Sequence, residues 1–108
     1  METYFELKER RLTVQMPKEL DHHQAGQLRM EVDMLIDAYQ VQNLTFDFAK
    51  TEFMDSSGIG VIIGRCKNIG YCGGEVSAKN LNGRLEKIFM VSGLHKLIKT
   101  ETPQGKHE

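Results

Sequence analysis

The sequence predicts an α/β domain built on a mixed, mostly parallel sheet of about five strands joined by helical crossovers. Three observations carry this. Short runs show two-residue alternation, longer runs carry apolar residues at three- and four-residue steps, and after an opening pair of strands the two kinds alternate along the chain. At 108 residues the chain suits one domain, read as residues 1–100 with a short polar tail over 101–108.

The first alternating run is Tyr4-Phe5-Glu6-Leu7-Lys8. The second, Arg11-Leu12-Thr13-Val14-Gln15-Met16, places Leu12, Val14 and Met16 on one face. The short charged link between them predicts a hairpin, with the first strand antiparallel at the sheet edge. From Asp21 to Gln40 the period lengthens, and Ala25, Leu28, Val32, Leu35, Ile36 and Tyr39 form one apolar stripe of a helix. Asp21 is placed to cap it, because its carboxylate can accept from a backbone N–H that the helix leaves unpaired. Leu44 to Phe48 is the next strand. Ile59, Ile62, Ile63, Cys66 and Ile69 then mark a second helix ending near Gly70.

Glu75 to Lys79, rich in small and β-branched residues, reads as a strand. Asn82 caps a third helix carrying Leu85, Ile88 and Phe89, with Gly93 as its left-handed stop. Leu97-Ile98-Lys99 is the expected last strand. Met30, Met34, Met54 and Met90 read as core filler. A cluster of exposed apolar residues near Met54, Ile59 and Leu94 is a candidate partner contact.

Composition narrows the function. A formal net charge of −1 supplies neither the field that attracts nucleic acid nor a basic stripe for a membrane surface. The first ten residues lack the apolar stretch of a signal peptide, and the uncharged run Ser56–Gly64 is about half of a membrane span. Cys66 and Cys72 make no disulfide framework and no common metal spacing, so a reducing, cytoplasmic setting is expected. His22 and His23 are neighbours that do not share a helix face, and His95 is far away, so no metal site is expected. Gly58, Gly60 and Gly64 follow a strand as a dinucleotide loop would. The chain is too short for that fold, however, and Glu75 precedes the next strand where an acidic residue should follow it. No phosphate-binding P-loop motif and no nucleophile–base pair is present; no cofactor and no catalytic residue are expected. With no large apolar surface evident, a monomer is expected.

Two loops at the carboxyl ends of strands, where ligands and partners meet such folds, stand out. Pro17 to His23 leads into the first helix, and Thr51 to Gly60 into the second. The second loop puts Ser56 and Ser57 at a helix N-terminus, where unpaired amides and the helix dipole favour negative charge. On spacing alone two readings stay open. In one the pair is no more than a cap, with the glycines relieving packing; in the other a serine there is modified by a partner that the glycines let approach.

The run Phe53-Met54-Asp55-Ser56-Ser57-Gly58-Ile59-Gly60-Val61-Ile62-Ile63-Gly64-Arg65 resembles the phosphorylation segment of the anti-anti-sigma factors, a class of STAS domain, closest to those of the sporulation sigma-F pathway. Glu19-Leu20-Asp21-His22-His23 and Val91-Ser92-Gly93-Leu94 resemble two further stretches of that family, in the same element order. The resemblance implies partner switching. The unphosphorylated protein binds an anti-sigma factor serine kinase and so frees the sigma factor. The kinase, using its own ATP and magnesium, then phosphorylates the serine after the aspartate, and a serine phosphatase reverses this. Carried onto this chain, Ser56 is the phosphorylation site, Asp55 shapes the loop and Ser57 caps the helix. Glu19, Asp21, Gly58, Ile59 and Gly60 belong with them to the partner-binding surface. Alternatives within the same fold are a stress-pathway antagonist and a small-molecule or nucleotide sensor. Two departures from the family are visible. Lys18, after Pro17, stands where the family usually has glycine, and the family's C-terminal helix is expected to be truncated or absent.

Overall fold

A computed structural model describes residues 4–71 and 74–101 of the chain. Cys72, the side chain of Cys66, and the tail over 102–108, where the family's C-terminal helix is expected to be truncated or absent, lie outside the described residues.

Strand β1 (Tyr4–Lys8) pairs antiparallel with β2 (Arg11–Gln15), from Tyr4↔Gln15 to Lys8↔Arg11. The two-residue turn puts Glu9 at φ 59°, a left-handed conformation that side chains disfavour. Next come β3 (Glu19–Leu20), α1 (His22–Tyr39), β4 (Asn43–Asp47) and β5 (Phe53–Met54). The chain continues through α2 (Ser56–Tyr71), β6 (Glu75–Lys79), α3 (Gly83–Ser92), a 3-10 turn (Leu94–Lys96) and β7 (Lys99–Glu101). The main sheet has the order β1-β2-β4-β6-β7 and is parallel from β2 onward. A separate two-stranded parallel ribbon, β3-β5, stands beside it.

Because β2, β4, β6 and β7 are laid down in one direction, right-handed crossovers place every connecting helix on the same face. The registers agree. Leu12, Leu44 and Val76 align across the strands, as do Val14, Phe46 and Ala78, and all six are buried. The alternate row Thr13, Thr45, Ser77 faces the other way and is half-buried, with the Thr45 and Ser77 hydroxyls 2.9 Å apart. From α1 come Ala25, Leu28, Val32 and Ile36; from α2, Val61, Ile62 and Ile69; from α3, Leu85 and Phe89. Phe48 meets Phe89 edge-on at 5.7 Å between ring centres.

The expected caps are present. The Asp21 carboxylate accepts from Gln24 N–H at 3.1 Å, Asn82 Oδ1 accepts from Leu85 N–H at 2.9 Å, and Gly93 closes α3 at φ 83°.

Three expectations need correction. The last strand begins two residues later than expected, because a 3-10 turn follows Gly93 and the Leu97 and Ile98 amides both donate to the Leu94 carbonyl. Leu97 is consequently exposed. Tyr39 also stands exposed, at the last residue of α1. Met30, Met34 and Met90 are each about two-thirds exposed and fill no core; of the four methionines, Met54 alone is buried.

Candidate functional site

The two unusual loops fold into one structure. The Glu52 and Phe53 amides donate to the Lys18 carbonyl at 2.7 and 3.2 Å, and the Asp55 amide donates to the Leu20 carbonyl at 3.3 Å. These bonds make the β3-β5 ribbon, pairing Glu19 with Phe53 and Leu20 with Met54. Alternation does the rest: Leu20 and Met54 are buried, while Glu19 and Phe53 face outward. Lys18 takes no left-handed backbone conformation, so the residue that replaces the family's glycine fits the loop. Its ammonium lies 3.9 Å from the Glu52 carboxylate, with both side chains well exposed, a geometry worth little to stability.

Thr51 holds the two loops together and was not singled out from the sequence. It is 2% exposed, and its hydroxyl donates to the Pro17 carbonyl at 2.9 Å. Its own carbonyl accepts from the Asn82 side-chain amide at 3.4 Å, joining the start of α3 to the same junction. A buried hydroxyl needs such a partner, but nothing in the local sequence names a carbonyl 34 positions away.

Ser56 is the first residue of α2 and is exposed. It therefore lies at the surface, one residue beyond the Asp55–Leu20 bond that brings it to the acidic turn before α1. The expectation that Ser57 caps α2 is corrected. Asp55 does so, its Oδ1 accepting from the Ser57 amide at 2.8 Å and the Gly58 amide at 3.3 Å. Ser57 contributes its backbone N–H to that cap. The aspartate before the serine thus starts the helix, and the amides expected to be open to an added anion already hold a carboxylate.

The glycines divide between the two readings left open by the sequence. Gly58 is buried, and a Cβ there would lie 2.7 Å from Met54 Cγ and 2.8 Å from Leu20 Cδ2. It lets α2 settle onto the β3-β5 ribbon and presents nothing to a partner, which corrects its placement on the docking surface. Gly60 is exposed, and a Cβ there would touch nothing within 4 Å. The proposed apolar cluster is also corrected: Met54 and Leu94 belong to the core, Ile59 is half-buried against it, and the exposed apolar side chain of this loop is Phe53. Glu19 is exposed, and Asp21 and Asp55 are half-buried.

Beside this site a groove of about 470 Å³ runs between α1 and α2, past Ala25, Gly26, Ser57, Gly60 and Gly64. Arg65 bridges the helices, its Nε 2.8 Å from Asp33 Oδ1 in an ion pair rather than an aligned hydrogen bond. Among the described residues no group of three or more histidine, cysteine, aspartate or glutamate side chains is placed to hold a metal ion. No helix of the described residues is long and apolar enough to cross a membrane.

An α/β sheet covered by helices on one face, with an aspartate-capped serine at the start of α2, defines the class: the STAS domain family matches residues 4–105, and the chain belongs to it. Among individual proteins, it is 38% identical over 87 residues to an anti-sigma F factor antagonist of Paenibacillus polymyxa, an alignment covering 81% of this chain and 74% of the relative. The anti-sigma factor antagonist SpoIIAA in its unphosphorylated form superposes with a TM-score of 0.85 at 26% identity, over 95% of this chain and 89% of that one. The Bacillus cell fate determinant SpoIIAA in the phosphorylated form gives 0.78 at 26% identity, over 95% and 92%.

Proposed function

We propose that this protein is an anti-anti-sigma factor that binds an anti-sigma factor serine kinase while unmodified and releases it once Ser56 is phosphorylated. It acts as a substrate and not as a catalyst, in the cytoplasm, and a serine phosphatase resets it. The observation that carries the reading is the place of Ser56: an exposed hydroxyl at a helix start, one residue from the bond that ties its loop to the acidic turn. The names of the relatives point the same way, since one antagonises an anti-sigma F factor and another is known in phosphorylated and unphosphorylated forms.

The switch is electrostatic. A phosphoserine carries nearly two negative charges at neutral pH. At Ser56 it adjoins Asp55, whose carboxylate occupies the nearest amides, and a surface already holding Glu19, Asp21 and Glu52. In the complex it also faces the phosphates of the nucleotide left in the kinase's active site, and like charges about 4 Å apart repel by about 1 kcal/mol in water and about 4 kcal/mol at a surface-like dielectric. A loss in that range weakens a complex roughly fivefold to a thousandfold, enough at its upper end for release without refolding.

The test is incubation with an anti-sigma serine kinase from the same genome, ATP and magnesium, followed by peptide mass spectrometry. A single phosphate on Ser56 is expected, absent from Ser56→Ala, which still binds the kinase. Modification at Ser57 instead, or none, overturns the assignment.

A further inference from the structure

Phe53 is the large apolar side chain that the ribbon turns outward, 48% exposed, directly beside the exposed Glu19. Ser56 lies three positions further along the chain, so the two Cα atoms are at most about 11 Å apart. A stable protein–protein contact covers about 800 Å² on each partner, a patch roughly 30 Å across. An enzyme seated on Ser56 with such a footprint therefore covers Phe53 as well. The surroundings are one-signed: loops 17–23 and 51–60 hold Glu19, Asp21, Glu52 and Asp55 against the single ammonium of Lys18, which lies beside Glu52. Aromatic side chains are enriched at the centre of such contacts, where they exclude water while charges at the rim set orientation.

We propose that Phe53 is the apolar anchor of this docking surface, seated in an apolar socket of the Ser56-modifying kinase that is ringed by basic side chains. This rests on the Ser56 reading and adds to it the residue that supplies the grip and the chemistry of the surface it grips. The division of labour is definite. Phe53 and the carboxylates hold the unmodified protein on the kinase, while the phosphate that Ser56 receives faces the kinase's own bound nucleotide, whose phosphates repel it.

The experiment titrates unphosphorylated wild type, Phe53→Ala and Phe53→Gln with the purified anti-sigma serine kinase from the same genome, at low and moderate salt, with a thermal melt of each protein. Both variants are expected to bind tenfold or more weakly, about 1.4 kcal/mol, while melting within a few degrees of wild type. Glutamine keeps an aliphatic stem against the ribbon, so loss of affinity in that variant is not a packing defect. In steady-state phosphorylation KM rises by the same factor and kcat stays within twofold, because the hydroxyl is untouched. Added salt weakens wild type and both variants alike, since the acidic rim remains. Wild-type affinity in both variants overturns the anchor while leaving Ser56 as the phosphoacceptor. A wild-type protein that the kinase neither binds nor phosphorylates overturns the Ser56 reading itself, a separate outcome.

Discussion

At the scale of single residues, the site depends on two glycines with opposite duties and one buried hydroxyl. Gly58→Ala forces a methyl into Leu20 and Met54 at under 3 Å, so a loss of about 1–3 kcal/mol is expected. Gly60→Ala meets nothing and sits inside a helix, so a gain of about 0.5–1 kcal/mol is expected. Thermal melts of the two variants should therefore move in opposite directions. Thr51→Val keeps the buried volume but leaves the Pro17 carbonyl without its donor; a loss of about 1–3 kcal/mol in urea denaturation is expected, with Thr51→Ser closer to wild type. Some of these duties were legible in the sequence and some were not. The Asp-Ser-Ser-Gly run pointed to a helix start, but whether Asp55 or Ser57 caps it depends on where the first helical residue falls. Thr51 offered no local sign at all, because its partner lies across the fold.

At the scale of elements, the long periodic segments were readable and the short ones were not. α1 follows its apolar stripe closely, whereas β3 and β5 have two residues each, too few to show any period. They exist because the Lys18 and Leu20 carbonyls take amides from the other loop, a tertiary fact. The exposed methionines teach a related lesson. Met30 and Met34 stand off the stripe marked by Leu28, Val32 and Ile36, so the spacing already placed them outward and residue type alone suggested burial. α1 ends on Gln40 at φ 53°, where glycine is the unstrained choice. Gln40→Gly is expected to raise stability by about 0.5–1 kcal/mol, read from the urea midpoint, because the cap bond to the Ile36 carbonyl and the Arg10 bond both use backbone atoms of residue 40.

At the scale of the whole molecule, sheet order and crossover hand put the core on one side and leave a polar face on the other. Loops 17–23 and 51–60 sit at one end of this frame, anchored in it by the buried Leu20 and Met54 and by hydrogen bonds. Phosphorylation of Ser56 is therefore expected to shift backbone amide resonances in residues 17–23 and 51–60 and to leave β1, β6 and α3 largely unchanged. Widespread shifts through the sheet would contradict an electrostatic switch. The order of the longer elements and the mostly parallel sheet with its antiparallel first strand were predictable, since handedness and alternation leave few arrangements, but the β3-β5 ribbon was not.

The way α2 begins has one more consequence. With the Asp55 carboxylate already seated on the Ser57 and Gly58 amides, a phosphoryl group attached to Ser56 as proposed would not be drawn into the helix end. On the proposed reading it would stay out in solvent, an erasable mark: easily read as charge, and just as easily reached by a hydrolase that wipes it off.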